Sequence, residues 1–194
     1  MTLMSISLSG LEDGVVYLAL SSPKVLRDAN IAIVEEVVRQ GFRAVVITVS
    51  QPSKILVQAY TRHGIDISRV SFIDVITKYA LGTEPSPLEN TTFVNNPRDL
   101  TSLSIAMTEM LRTYPEERTC YLIDSVTTML IHLSSEDVSK FIHFASAKLG
   151  IMEIPLIFLA AENSLSPVLL DHLLTFSGEV ITIESPVVPQ AKTP

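Results

Sequence analysis

From Val15 onward, short runs of apolar, β-favouring residues alternate with stretches whose apolar positions recur every three or four residues. VVYLAL (15–20), RAVVITV (43–49), VSFIDVI (70–76), TTFV (91–94), TCYLID (119–124), IPLIFLA (154–160) and EVITI (179–183) read as strands. Most are continuously apolar rather than alternating, the mark of strands covered on both faces of a sheet. Helices are predicted between them. One follows the first strand and stops near Gln40 at Gly41; a second opens at Pro52 and runs through Arg62 to His63-Gly64. Others start at Asn96-Pro97-Arg98-Asp99 and at Ser134-Ser135-Glu136-Asp137, and a last one spans about Pro167–Phe176. The start signals are residues that accept free N–H groups or suit a first turn, and the stops are glycines. Leu100, Leu103, Met107, Met110 and Leu111 repeat at helical spacing, and Phe141, Phe144 and Leu149 are predicted to face inward. GTEPSPLEN (82–90) is rich in turn formers and reads as a surface loop.

Strand–helix alternation of this kind predicts an α/β fold: a three-layer αβα arrangement around a mainly parallel, doubly wound sheet. No internal repeat is visible, and residues 1–184 are expected to form one domain. The remaining segment, SPVVPQAKTP (185–194), has three prolines and no pattern, and is expected to be a disordered tail or extended arm.

Composition narrows the setting. Hydrophobic residues make up 47% of the chain. Yet the longest candidate span, IMEIPLIFLAA (151–161), carries Glu153 and falls short of the roughly 18–20 residues that cross a bilayer. No membrane partner is expected. The first residues hold no early Lys or Arg and no long apolar core, which argues against a secretory signal. Cys120 is the single cysteine and sits in an apolar strand, where it serves as a small buried hydrophobe. A cytoplasmic location is expected. Net charge is −7, from 14 basic and 21 acidic residues, and no three basic residues are consecutive. Nucleic acid is therefore not an expected partner.

Chemistry in an open parallel sheet gathers beyond the carboxyl ends of the strands. The polar residues there are Ser21, Ser22 and Lys24 after the first strand, Ser50 and Gln51 after the second, and Asp74 in the third. Asp124 and Ser125 end the fifth, and Glu162 and Asn163 follow the sixth. Residues of these types also cap helices and shape turns without any ligand. A phosphate loop, GxxxxGK[ST], needs glycines so that backbone N–H groups turn inward, a lysine for the outer phosphates and a hydroxyl for magnesium. Aligned on Ser21, the pattern puts Leu26 at the second glycine, Arg27 at the lysine and Asp28 at the hydroxyl. Leu26 does not favour positive φ, and Asp28 adds charge of the wrong sign. A plainer reading has Ser22 capping a helix that begins at Pro23, with Val25, Leu26, Ala29, Ile33 and Val37 facing inward; a start near Asp28 restores no cradle either.

His63, His132, His143 and His172 lack metal-type spacing, so no metal site is expected. GxSxG and GxGxxG are absent. Met107, Met110, Met129 and Met152 read as core fillers.

The order of strand, loop position, helix, strand and Pro-started helix with Gly64-Ile65-Asp66, followed by SFID (71–74), resembles the RecA superfamily, and its KaiC-like branch most closely. CYLIDSVTTMLIHLSSEDVSKFIHFASAKL (120–149) carries the strongest likeness: its strand ends in Asp124-Ser125, like the branch's Walker B strand, and IPLIFLAAEN follows in order. The resemblance spans roughly residues 15–184. It implies a RecA-like fold in which Asp124 helps position the magnesium of ATP. It also implies a glutamate base just after the second strand, where this chain reads Val49-Ser50-Gln51-Pro52. The chain therefore resembles the glycine-less members of the group, associated mostly with archaea, in which neither the phosphate loop nor the base is present. Two functions are expected from this. One is a catalytically inactive regulatory or protein-interaction module that binds a partner or itself and carries no catalytic residue. The other is an altered ATP or ADP site with magnesium, built from Ser21, Ser22, Lys24, Asp124, Ser125 and Glu162. A third idea is that the proline-rich tail docks on a partner.

Overall fold

A computed structural model describes residues 10–183. The predicted tail and the first nine residues lie outside the described residues.

Seven strands form one parallel sheet in the order β4-β3-β2-β5-β6-β1-β7. They are β1 Val16–Ser21, β2 Arg43–Thr48, β3 Val70–Asp74, β4 Thr91–Phe93, β5 Thr119–Asp124, β6 Leu156–Ala161 and β7 Glu179–Ile183. The helices are α1 Leu26–Arg39, α2 Ser53–Arg62, α3 Thr77–Leu81, α4 Leu100–Thr113, α5 Val126–Met129, α6 Ser135–Ile151 and α7 Pro167–Phe176. The expected αβα architecture is the observed one. Every residue of β2, β3 and β6 is buried, and their polar members are Arg43, Thr48, Ser71 and Asp74, at or near the strand ends.

Alternation along the strands sorts side chains into two cores. Tyr17, Ala19, Val46, Phe72, Cys120, Leu122 and Leu159 pack with α1 and α2. Leu18, Val45, Ile47, Ile73, Tyr121, Ile123 and Phe158 pack on the other face with α4, α6 and α7. Each fully buried large aliphatic side chain contributes about 1.5–3 kcal/mol. Cys120 is buried as expected, and burial pushes its thiol pKa up.

Several expectations need correction. β3 ends at Asp74 rather than Ile76, because Asp74 turns its carboxylate onto the N–H groups of Ile76 and Thr77 and starts α3. The helix start at Asn96 moves to Asp99, whose Oδ1 accepts from the Ser102 N–H at 2.9 Å. Asn96 instead closes its own turn by accepting from the Arg98 N–H. Phe144 is 38% exposed. The inward stripe of α6 is Val138, Phe141, Ile142, Ala145 and Leu149, and Phe144 lies at its edge beside the Lys148 ammonium. Met152 fills no core: it follows α6 and is 47% exposed. Among the described residues, no helix is long and apolar enough to cross a membrane.

Candidate functional site

The strand ends converge by register. Asp74, Thr48 and Asp124 are paired neighbours at the ends of β3, β2 and β5, and Asp124 is paired with Leu159 of β6. Asp124 shares strand parity with Cys120 and Leu122, so its side chain enters the layer of α1 and α2. There it borders a cavity of about 200 Å³ lined by Pro23, Leu26, Arg27, Asn30, Ser50, Gln51, Leu56 and Asp124.

The turn between β1 and α1 makes no cradle. Pro23–Val25 is a single 3-10 turn leading directly into α1. Among the described residues, none from Ser21 to Asn30 has a positive φ. Ser22 occupies the cap position but makes no capping hydrogen bond with its side chain, so the expected Ser22 cap is corrected. The strand's last residue, Ser21, is wholly buried and donates its hydroxyl to the Ser22 carbonyl at 3.3 Å. Lys24 is exposed on the turn and is not among the residues bordering the cavity.

Asp124 is 4% exposed. Burial raises its carboxyl pKa to about 6, against a smaller lowering by the Ser50 hydroxyl, which donates to Oδ2 at 3.0 Å. The peptide between Asp124 and Ser125 is cis. Ser125 is buried and turned toward α5: its Oγ accepts from the Thr128 N–H at 3.2 Å and bonds the Thr128 hydroxyl at 2.9 Å.

Glu162 lies elsewhere. It lines a separate cleft of about 430 Å³ with Leu20, Pro167, Leu170 and Asp171, on the α7 side of the sheet. The fold thus brings Asp124 near the β1–α1 turn but sets Glu162 across the sheet from it.

Asn30 and Tyr60 were not among the residues expected at the site. Asn30 is 1% exposed and Tyr60 fully buried; the Tyr60 hydroxyl donates to Asn30 Oδ1 at 2.6 Å. Burial, then the charge of Asp124, pushes the Tyr60 phenol pKa well up. The signal for Asn30 was present: it is a polar residue inside the apolar stripe of α1, four after Leu26 and three before Ile33. Tyr60→Phe is expected to leave Asn30 Oδ1 buried and unpaired, at a cost of about 1–2 kcal/mol. A urea melt should show this as a lower midpoint with an unchanged slope.

His143 and His172 line one cavity between α6 and α7, and His63 and His132 lie apart from it. His143 stacks on Phe176, His132 meets Tyr79 edge-on, His172 bonds Ser139 and His63 bonds the Ala59 carbonyl. Among the described residues, no three His, Cys, Asp or Glu side chains group as a metal site.

No family model matches this sequence, and no curated protein matches it. Solved structures do. KaiC-like protein PH0186 from the hyperthermophilic archaeon Pyrococcus horikoshii OT3 is similar with a TM-score of 0.67 at 11% identity, covering 98% of this chain and 83% of that one. The uncharacterized protein PH0321 from Pyrococcus horikoshii, solved in complex with an unknown peptide, is similar with a TM-score of 0.73 at 10% identity, covering 95% of this chain and 83% of that one. The chain has a RecA/KaiC-like fold. At such identity the likeness concerns the fold alone.

Proposed function

We propose that this RecA/KaiC-like domain is a cytoplasmic protein that does not hydrolyse ATP and acts by binding a protein partner, itself included. The observation that supports it best is the Ser50–Asp124 pair. The resemblance calls for a carboxylate base after β2; here a hydroxyl stands there and donates to the buried Asp124. A serine hydroxyl held as a donor to an aspartate cannot accept the proton of an attacking water at neutral pH. The β1–α1 turn, with no inward-turned N–H cradle, points the same way. PH0321, of the same fold, was solved with a peptide bound, which agrees with an interaction role. The archaeal source of both neighbours agrees with the setting the resemblance implies.

Purified protein given ATP and magnesium is expected to release no phosphate above the blank, and light scattering should report a dimer or larger species. Phosphate release that Asp124→Ala abolishes would overturn the reading. A monomer at all concentrations that captures no partner would leave no interaction role.

The cavity beside Asp124 favours a second reading, an altered ATP or ADP site with magnesium. Its size argues against this: about 200 Å³ lies below the roughly 300–1,000 Å³ of drug-sized ligand sites. Glu162 would contribute nothing to it from across the sheet. A nucleotide at 100 times its Kd adds about 2.7 kcal/mol of stability, so a thermal scan with ADP and magnesium discriminates the two.

A further inference from the structure

The cavity under the first turns of α1 has hydrogen-bonding capacity that the protein does not use itself. Tyr60 holds Oδ1 of Asn30, and the other half of that amide, Nδ2, is buried without a partner. Gln51 Oε1 is also buried and unpaired. Among the described residues, the Ser50 hydroxyl alone hydrogen-bonds the Asp124 carboxylate. Asn30, Gln51, Ser50 and Asp124 line the same cavity. Buried polar groups are paired in the great majority of cases, because each unpaired one costs about 1–3 kcal/mol. Two orphans and an under-used carboxylate around one space therefore point to a partner from outside the chain.

The inventory sets the chemistry of that partner. Asn30 offers N–H donors, while Gln51 and Asp124 offer acceptors. An anion would meet the Asp124 carboxylate, and the cation bordering the cavity, Arg27, belongs to an exposed residue at its rim. An added cation would meet Arg27. A neutral group with one carbonyl and two N–H bonds complements the set. Pro23, Leu26 and Leu56 supply an apolar wall for a short hydrocarbon part.

We propose that this cavity binds a small uncharged molecule bearing a primary carboxamide. Its carbonyl accepts from Asn30 Nδ2, and its N–H groups donate to Gln51 Oε1 and Asp124. The volume of about 200 Å³ admits roughly six waters at 30 Å³ each, or one molecule of that total size. This site goes beyond the interaction role and does not depend on it.

The test is a titration of the full ¹⁵N-labelled chain with propionamide and with nicotinamide, following the side-chain NH₂ signals of Asn30 and Gln51. Propionate, nearly the same shape but anionic, is the matched control. Saturable shifts of both signals with the amides, and none with propionate, are expected. Gln51→Met, at a half-buried position in the loop between β2 and α2, should weaken the response at least tenfold while keeping the fold; Asn30→Leu should abolish it. Absence of saturation at tens of millimolar amide, an equal response to propionate, or an undiminished Asn30 response in Gln51→Met overturns the proposal. ADP with magnesium shifting the same signals also overturns it, in favour of the nucleotide site. Phosphate release is read separately, so failure here leaves the non-hydrolytic reading standing.

Discussion

Asp74→Ala is expected to lower the melting temperature by about 6–20 °C, from a loss of about 3–5 kcal/mol in a chain of this size. Asp74 has no exposed surface. Its Oδ1 accepts from the N–H groups of Ile76 at 3.0 Å and Thr77 at 2.8 Å. Its Oδ2 accepts from the Ser53 N–H at 2.7 Å and the Thr77 hydroxyl at 2.6 Å. One carboxylate thereby ties the end of β3 to the starts of α2 and α3. Alanine leaves three backbone N–H groups without partners, each worth about 1–3 kcal/mol when buried, partly offset where local relaxation admits water. Asp74→Asn keeps one acceptor but turns an NH₂ toward donors, and should fall between alanine and wild type. Thermal and urea melts of the three proteins check this; a loss below about 1 kcal/mol for alanine would show that these bonds are replaced by water.

The role of Asp74 illustrates what the sequence could and could not reveal. Strands were legible because a run such as LIFLAA is buried on both faces and needs no tertiary information to be read. The short helices α3 and α5 were not, because five and four residues carry no helical period. Asn96 and Asp99 both signal a helix start; only the turn that Asn96 closes on Arg98 leaves Asp99 as the cap. At the site, Asp124 could be placed from its strand. Its separation from Glu162 follows from the two faces of the sheet: Asp124 continues the row of Cys120 and Leu122, whereas Glu162 shares a cleft with Leu20, on the α7 side. The meeting of Asn30, Tyr60 and Gln51 with Asp124 was beyond the sequence. They reside on two helices and a loop whose packing on β5 is a property of the fold, and the notation of motifs records only what neighbours in the chain can do.

Asp124→Asn is expected to stabilise the protein by about 2–3 kcal/mol above pH 7, raising its melting temperature by about 4–10 °C. The reason is the cost of holding a carboxylate charge in a buried place where, among the described residues, one hydroxyl hydrogen-bonds it. Its folded pKa of about 6 lies above the ordinary 3.8, so the native state holds a proton that the unfolded chain has already released between those values. Stability therefore falls as pH rises from about 4 to about 6, and the full penalty persists above that. Asparagine keeps an oxygen for Ser50 and carries no charge. The difference between the two proteins should be small near pH 4, grow through pH 5 and level off above about pH 7. Asp66, Asp99 and Glu36 have carboxyl pKa values lowered by hydrogen bonds to Ser68, Ser102 and Arg39, and bias the pH profile in the opposite sense. They are common to both proteins, so subtraction removes them. A difference that is flat with pH would mean that Asp124 titrates normally and water reaches it freely. If the predicted rise is found, the native carboxylate is destabilising where it stands.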